Sequence, residues 1–153
     1  MPEEYRNIYK TARKTRGYTQ ESAAERLNIS ISSLQAYETG ARIPSNDVVE
    51  LMVICYDNQA LAYQHLRESS ALMNRVVPKL EPRSVLEIAV RIHNRIKELE
   101  NKGGLDRLMA IAENNVIDDD ERPEFYAIVA EVREIVRSGL ELDVYCASDF
   151  MPV

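Results

Sequence analysis

The chain is poor in the residues that would form disulfides, metal clusters or a membrane span. Its 153 residues include only two cysteines, Cys55 and Cys146, which lie far apart and match no metal-ligand spacing. No apolar run approaches the ~18 residues that a membrane helix needs. Residues 1–6 are acidic and polar, unlike a secretory signal. We therefore expect a cytoplasmic protein with free thiols, no structural metal and no contact with a membrane.

The signatures of catalysis are missing as well. No serine or cysteine stands in a nucleophile motif with a base and an orienting group, and no glycine-rich phosphate loop is present. The acidic run at 118–121 lacks the central glycine and alternating ligands of a calcium loop and has the spacing of a helix capping box. His65 and His93 have no ligand set nearby, so we expect both to be solvated or to face a partner. The sequence predicts no enzyme, no cofactor and no metal site.

Positively charged residues are outnumbered by acidic ones, 19 to 25, and are distributed unevenly. The net charge is −6, yet residues 1–44 carry seven Lys/Arg against five Asp/Glu, and residues 45–153 carry twelve against twenty. The cations of the front segment cluster early in the chain, at Lys10, Arg13, Lys14, Arg16 and Arg26. This distribution favours phosphate contacts through the front segment, with modest and salt-sensitive binding.

Two short amphipathic helices joined by a tight turn are predicted inside that front segment. Thr19 and Ser30 are placed to cap their N-termini, and Asn28 occupies the turn, where a left-handed backbone is needed. Apolar residues have core spacing at Ala23, Leu27, Ile29, Leu34 and Tyr37. This layout is a helix-turn-helix, a module that delivers its second helix to the major groove of DNA.

Helical patterns continue on both sides of this motif. The sequence predicts a first helix over residues 4–16 ending at Gly17, a fourth helix opened by residues 44–45, and a fifth over residues 59–75. Two prolines then interrupt the pattern and indicate a linker at residues 77–83.

Beyond the linker, Ser84 and Glu87 have the spacing of a capping box. The helix that follows repeats apolar residues at intervals of four and three, namely Val85, Ala89, Ile92, Ile96 and Leu99. Such a seam suits a partner helix, either within the chain or across a dimer. Further helices are predicted over residues 105–116 and 125–136. Residues 140–146 alternate apolar and polar side chains, which is typical of a strand-like arm.

From about residue 4 to residue 66 the chain resembles the Cro/repressor type of bacterial and phage helix-turn-helix regulators, the xenobiotic-response-element-like family. The residues that carry the resemblance are Ala12, Arg13, Arg16–Glu21, Ala24, Leu27, Ile29, Ser30, Ser33, Leu34, Tyr37–Gly40 and Arg42–Ser45. The remainder is similar in style to the C-terminal helical extensions of prophage-type members. The resemblance implies a transcriptional regulator of the repressor type that binds a near-palindromic operator in double-stranded DNA as a homodimer.

With that resemblance, the expected fold is all-α. We expect an N-terminal five-helix repressor-like DNA-binding domain over residues 1–76 and a linker over residues 77–83. A small C-terminal helical domain for dimerisation or effector input, with an extended tail, would occupy residues 84–153.

By position, the resemblance also implies roles for individual side chains. The base-facing residues are Ile31, Ser32 and Ser33 at the start of the recognition helix, and Gln35 or Ala36 one turn later. Gln20 is placed to contact a phosphate or to brace a neighbouring side chain. Backbone contacts fall on Thr39 and Arg42, with Arg16 in the nearby basic cluster, and Arg13 and Glu38 occupy the positions of an internal ion pair. Of the base-facing residues only Gln35 can make bidentate bonds to adenine, whereas Ile31 can pack against a thymine methyl.

Two other functions stay open at this point. The acidic C-terminal half could bind another protein, as in an antitoxin or antirepressor-like module. Alternatively, a DNA-binding regulator could carry a small-molecule sensor in its C-terminal bundle.

Overall fold

The computed structural model describes residues 7–146, and this part of the chain is helical without any β-strand, which confirms the predicted all-α class. It divides into two compact units, residues 7–80 with 144–146 and residues 81–143. The first unit contains α1 (Ile8–Arg16), α2 (Gln20–Arg26), α3 (Ile31–Glu38), α4 (Asn46–Tyr56), α5 (Ala60–Ser69) and α6 (Ala71–Val76). The second contains α7 (Val85–Asn101), α8 (Gly104–Ala112) and α9 (Arg122–Asp143). Within residues 7–146 no helix has the length and apolarity to cross a membrane.

Short-range signals in the sequence set several of the helix ends. Thr19, Ser30 and Ser84 each accept a hydrogen bond from the backbone N–H three residues later, and Ser84 has the reciprocal glutamate of a capping box. Gly17 ends α1 in the left-handed region at φ 82°, and Asn28 adopts φ 53° in the turn between α2 and α3. These predicted caps and turn residues are confirmed.

The predicted fifth helix is interrupted. Ser70 is extended at φ −161° and ψ 161°, and its hydroxyl accepts a hydrogen bond from the N–H of Met73, so that α5 ends and α6 begins there. The prediction of a single helix over residues 59–75 is therefore wrong. The hydroxyl of Ser70 accepts the hydrogen bond of a backbone N–H that a backbone carbonyl would accept in a continuous helix. The predicted first helix over residues 4–16 is also wrong at its start, because Asn7 is extended at φ −61° and ψ 122° and its side chain caps α1, which begins at Ile8. Residues 4–6 lie outside the described residues.

The predicted strand-like arm at residues 140–146 is also wrong, because α9 continues through Asp143. The carboxylate of Glu141 is buried, lies 3.7 Å from Arg137 one helical turn earlier and accepts a hydrogen bond from the backbone N–H of Glu81. These contacts stabilise the helical conformation. The alternation of apolar and polar side chains over residues 140–146 is too short to specify a strand. The extended tail beyond residue 146 lies outside the described residues.

Each unit has its own apolar core. In the first unit α1 to α5 surround the fully buried side chains of Leu34, Met52 and Leu61, and Ala23, which is fully buried, lets α2 approach its neighbours closely. In the second unit α7 and α9 run antiparallel, and with α8 they bury a smaller core formed by Leu99, Ile111 and Ile128.

His65 is buried in the first unit, so the expectation of a solvated or partner-facing histidine is wrong for this residue. Its Nδ1 lies 2.8 Å from the hydroxyl of Tyr9, and its Nε2 lies 2.9 Å from Oδ1 of Asn46. A neutral ring fits both contacts, with Nε2–H donating to Asn46 and Nδ1 accepting from Tyr9. Burial lowers the pKa of His65, while burial and the nearby Glu68 raise the pKa of Tyr9 to about 12.

We expect the stability of the first unit to fall as the pH drops below about 6.5, the ordinary pKa of histidine, because the unfolded chain then takes up a proton that folded His65 binds less readily. Burial raises the pKa of Glu68, which stabilises the folded state as the pH falls and so opposes the effect of His65. The change in the free energy of unfolding between pH 7.5 and 5.5 must therefore be compared between variants. Measured by urea unfolding, this change should be smaller in His65→Gln than in the wild type. His93→Gln, at an exposed position, should behave as the wild type, and equal pH effects in all three proteins would contradict this role of His65.

Candidate nucleic-acid interface

Helix α3 divides its residues between a buried and an exposed side. Leu34, Tyr37 and Glu38 are buried, whereas Ile31 and Gln35 are exposed, with Ile31 42% exposed. Ser32 is exposed beside them, and Ser33 and Ala36 are half-buried at the edges of this surface. The five residues that the sequence assigned to base contacts therefore all belong to the outward side of α3 or its edges.

The serine hydroxyls at the start of α3 are joined to the capping residue. The hydroxyl of Ser30 donates to Oγ of Ser33 at 2.9 Å, and Oγ of Ser32 lies 3.0 Å from Oγ of Ser30. Since Ser33 only accepts in this arrangement, its own hydroxyl proton is free to be donated.

A buried ion pair fixes the other side of α3 to α1. Nε and Nη2 of Arg13 donate to the two carboxylate oxygens of Glu38 at 2.5 and 2.9 Å, and Nη1 donates to the carbonyl of Tyr18 at 2.6 Å. Burial opposes ionisation of Glu38, but the hydrogen bonds from Arg13 and Gln20 and nearby positive charge outweigh it and lower the pKa of Glu38. The structure confirms this ion pair, which the sequence placed only by resemblance.

Gln20, the first residue of α2, connects that ion pair to the exposed surface. Its Nε2 donates to Oε2 of Glu38 at 2.9 Å, and its Oε1 accepts a longer hydrogen bond from Nε2 of Gln35 at 3.4 Å. Of the two roles expected for Gln20, bracing a neighbour is thus the one that these contacts serve. The amide of Gln35 is held at one end, which limits its freedom on the surface.

The residues on either side of the motif contribute hydroxyl and guanidinium groups. The hydroxyl of Thr39 donates to the carbonyl of Gln35 at 2.9 Å, so its proton is already used within the helix. The guanidinium of Arg42 is exposed and stacks 4.8 Å above the ring of Tyr37. Arg16 is exposed in the last turn of α1.

Asn7 is a positioning residue that the sequence analysis missed. Its Oδ1 caps α1 by accepting from the N–H of Lys10 at 3.0 Å, while its Nδ2 donates to the carbonyl of Tyr37 at 2.7 Å. The asparagine therefore attaches the start of α1 to the last turn of α3. An N-cap residue at this point was detectable from the sequence, but its second contact joins residues 30 positions apart.

Of three comparisons with known proteins, the one with protein-family models gives a match. No curated protein and no solved structure gives a significant match to the chain. A family model described as "Helix-turn-helix" matches residues 10–57, which cover most of α1 and all of α2, α3 and α4, about a third of the chain. Residues 10–57 therefore form a helix-turn-helix domain of the kind that DNA-binding transcriptional regulators carry.

Proposed function

We propose that the protein is a transcriptional repressor that binds a near-palindromic operator as a homodimer. The main support for this proposal is the position of Gln35. Its side chain is exposed on the outward side of α3 and is linked through Gln20 to a buried ion pair. Each copy inserts α3 into the major groove, and the two half-sites lie one helical turn apart, about 34 Å. Bound at a promoter, such a dimer excludes RNA polymerase sterically.

Within each half-site the side chains of α3 read base edges by different means. Gln35 donates and accepts one bond each with adenine, and Ile31 packs against a thymine methyl. The hydroxyls of Ser32 and Ser33 accept or donate according to the base that faces them. Ala36 supplies only a methyl contact. Sequence preference is therefore strongest at the base pair that faces Gln35.

Contacts with the DNA backbone position the domain and account for the salt dependence of binding. The cations proposed for this role are Arg16 and Arg42, with Gln20 supplying an amide proton to a phosphate while it keeps its bond to Glu38. Thr39 contacts a phosphate once its hydroxyl turns away from the carbonyl of Gln35. Because few cations take part, affinity falls with salt less steeply than for a strongly basic protein.

Gln35→Ala is expected to weaken the preference at one base pair in each half-site by about 1–3 kcal/mol, because the adenine edge loses its bidentate partner. The preference can be measured by selecting binding sites from random duplexes with the purified full chain, followed by affinity measurements at two salt concentrations. Gln64→Ala is the matched control, since Gln64 is an exposed glutamine on α5 outside α3.

Two results would count against this proposal. If the wild type selected no common sequence and bound all duplexes equally, the protein would not be a sequence-specific regulator. If Gln35→Ala and Gln64→Ala selected the same site as the wild type, a different side chain would read that base pair.

A second candidate is a protein-interaction module of the antitoxin or antirepressor kind, acting through the acidic C-terminal half. The apolar side chains of Leu105 and Met109 on α8, which are 48% and 73% exposed, favour it. A stable heteromeric complex isolated with the untagged native protein, together with failure to select any DNA site, would support this candidate over the repressor.

A further inference from the structure

A cavity of about 330 Å³ lies between α4 and α5 in the first unit. Sites for small molecules mostly occupy about 300–1,000 Å³, so this cavity can hold one ring or a short hydrocarbon chain. Half of its lining residues are apolar, namely Val49, Val53 and Ile54 of α4 and Ala62 and Leu66 of α5. Val49 and Val53 are buried and Ile54 is 56% exposed, so the apolar lining extends from the core to the surface.

The two charged residues that line this cavity are both acidic. Asp47 and Glu50 are exposed on α4, three positions apart and therefore on the same side of the helix. Among the described residues neither carboxylate has an ion-pair or hydrogen-bond partner. Two like charges at this spacing repel each other, and a cation beside both of them would relieve that repulsion.

The rest of the lining adds no positive charge to balance these carboxylates. It consists of two amide side chains and His65, whose ring nitrogens lie against Tyr9 and Asn46 in an arrangement that a neutral ring fits. Arg67 of α5 directs its guanidinium to the carbonyl of Val77, outside the lining. A cleft lined by one sign of charge raises the local concentration of ions of the opposite sign.

We propose that this cavity binds a small organic cation, a protonated amine or quaternary ammonium group carried on an apolar body of about one ring. The body lies against Val49, Val53 and Ala62, and the charged end stays beside Asp47 and Glu50 at the surface, where water still reaches it. A neutral molecule of the same shape gains only the apolar contacts, and an anion meets two like charges. This binding site lies beyond the proposed function and does not depend on it.

Titration of the isotope-labelled full chain with phenethylammonium, followed by nuclear magnetic resonance, tests this site. We expect saturable shifts concentrated in residues of α4 and α5, with a dissociation constant on the order of 0.1–1 mM for so small a probe. Phenethyl alcohol and phenylacetate are a neutral and an anionic molecule of similar shape. Both should bind at least about fivefold more weakly than the ammonium, because neither gains the attraction of the two carboxylates.

Variants separate the charge of the site from its shape. Asp47→Asn with Glu50→Gln changes only exposed side chains and should make the ammonium and the alcohol bind equally. Asp106→Asn with Glu113→Gln is the matched control, because it removes the same charge from exposed positions in the second unit, and it should keep the wild-type preference. Ala62→Met should weaken both probes at least about tenfold, because the longer side chain occupies the cavity.

Four results would overturn the proposal. They are the absence of saturable shifts in the wild type, equal binding of the ammonium and the alcohol, and a preference that survives Asp47→Asn with Glu50→Gln. The fourth is an Ala62→Met variant that binds the ammonium as the wild type does, since the cation would then lie on the exposed carboxylates outside the cavity. Shifts in α4 and α5 that depend on protein concentration without any probe would also contradict it, because a second copy would then cover the cavity. No DNA is present, so a failure of site selection leaves these titrations unaffected.

Discussion

A Leu34→Asp variant is expected to lose the folded state of the first unit. Leu34 is fully buried in α3, at the contact of that helix with the rest of the core. Removing the leucine costs about 2–5 kcal/mol, and the unpaired carboxylate adds a further cost. Because domains of this size have only about 5–15 kcal/mol of stability, we expect no cooperative urea transition for residues 7–80 and a large loss of helical circular dichroism.

Leu72→Asp is the control for this experiment. Leu72 is 69% exposed on α6, so the same substitution there should change the free energy of unfolding by less than about 0.5 kcal/mol. A Leu34→Asp variant that unfolds with the wild-type midpoint would mean that Leu34 of α3 does not pack against the core.

Glu38→Ala is expected to lower the free energy of unfolding by about 3–5 kcal/mol, because it leaves the guanidinium of Arg13 buried without its carboxylate. The double variant Arg13→Met with Glu38→Ala should be less destabilised than Glu38→Ala alone, since the stranded charge is then removed. Urea unfolding of the four proteins in this cycle measures the coupling between the two residues.

Glu25→Ala provides a control for Glu38→Ala, because Glu25 is an exposed glutamate near the end of α2. We expect almost no change in its unfolding midpoint. A Glu38→Ala variant that was no less stable than Glu25→Ala would show that the ion pair adds nothing to folding.

The ion pair also links stability to recognition. Gln20 contacts Glu38 with its nitrogen and Gln35 with its oxygen, so a change at Glu38 frees an amide that orients Gln35, the residue we propose to read a base. For this reason Glu38→Ala should weaken DNA binding even in conditions where most of the protein is folded.

The sequence predicted the features that depend on neighbouring residues. The caps at Thr19 and Ser30 and the left-handed Asn28 are each determined within about four positions, and the structure confirms them. The Arg13–Glu38 pair joins residues 25 positions apart. This pair was expected only because the family resemblance implies an ion pair between these two positions.

The features that the sequence did not predict depend on contacts between distant segments. His65 is buried because Tyr9, 56 positions earlier, and Asn46 on α4 satisfy its two ring nitrogens. The continuation of α9 depends on Glu141 meeting the backbone of Glu81, 60 positions earlier. Helical periodicity reports neither contact, and in both places the local pattern favoured the wrong interpretation.

The division of α3 between a buried and an exposed side has an evolutionary consequence. Leu34, Tyr37 and Glu38 maintain the fold from one side of the helix, while Ile31 and Gln35 stand on the other. Under the proposed function, substitutions at the exposed positions can therefore change which operators are bound without loss of folding. A lineage of proteins acting in this proposed way can acquire new target promoters through a few surface mutations while the scaffold stays constant.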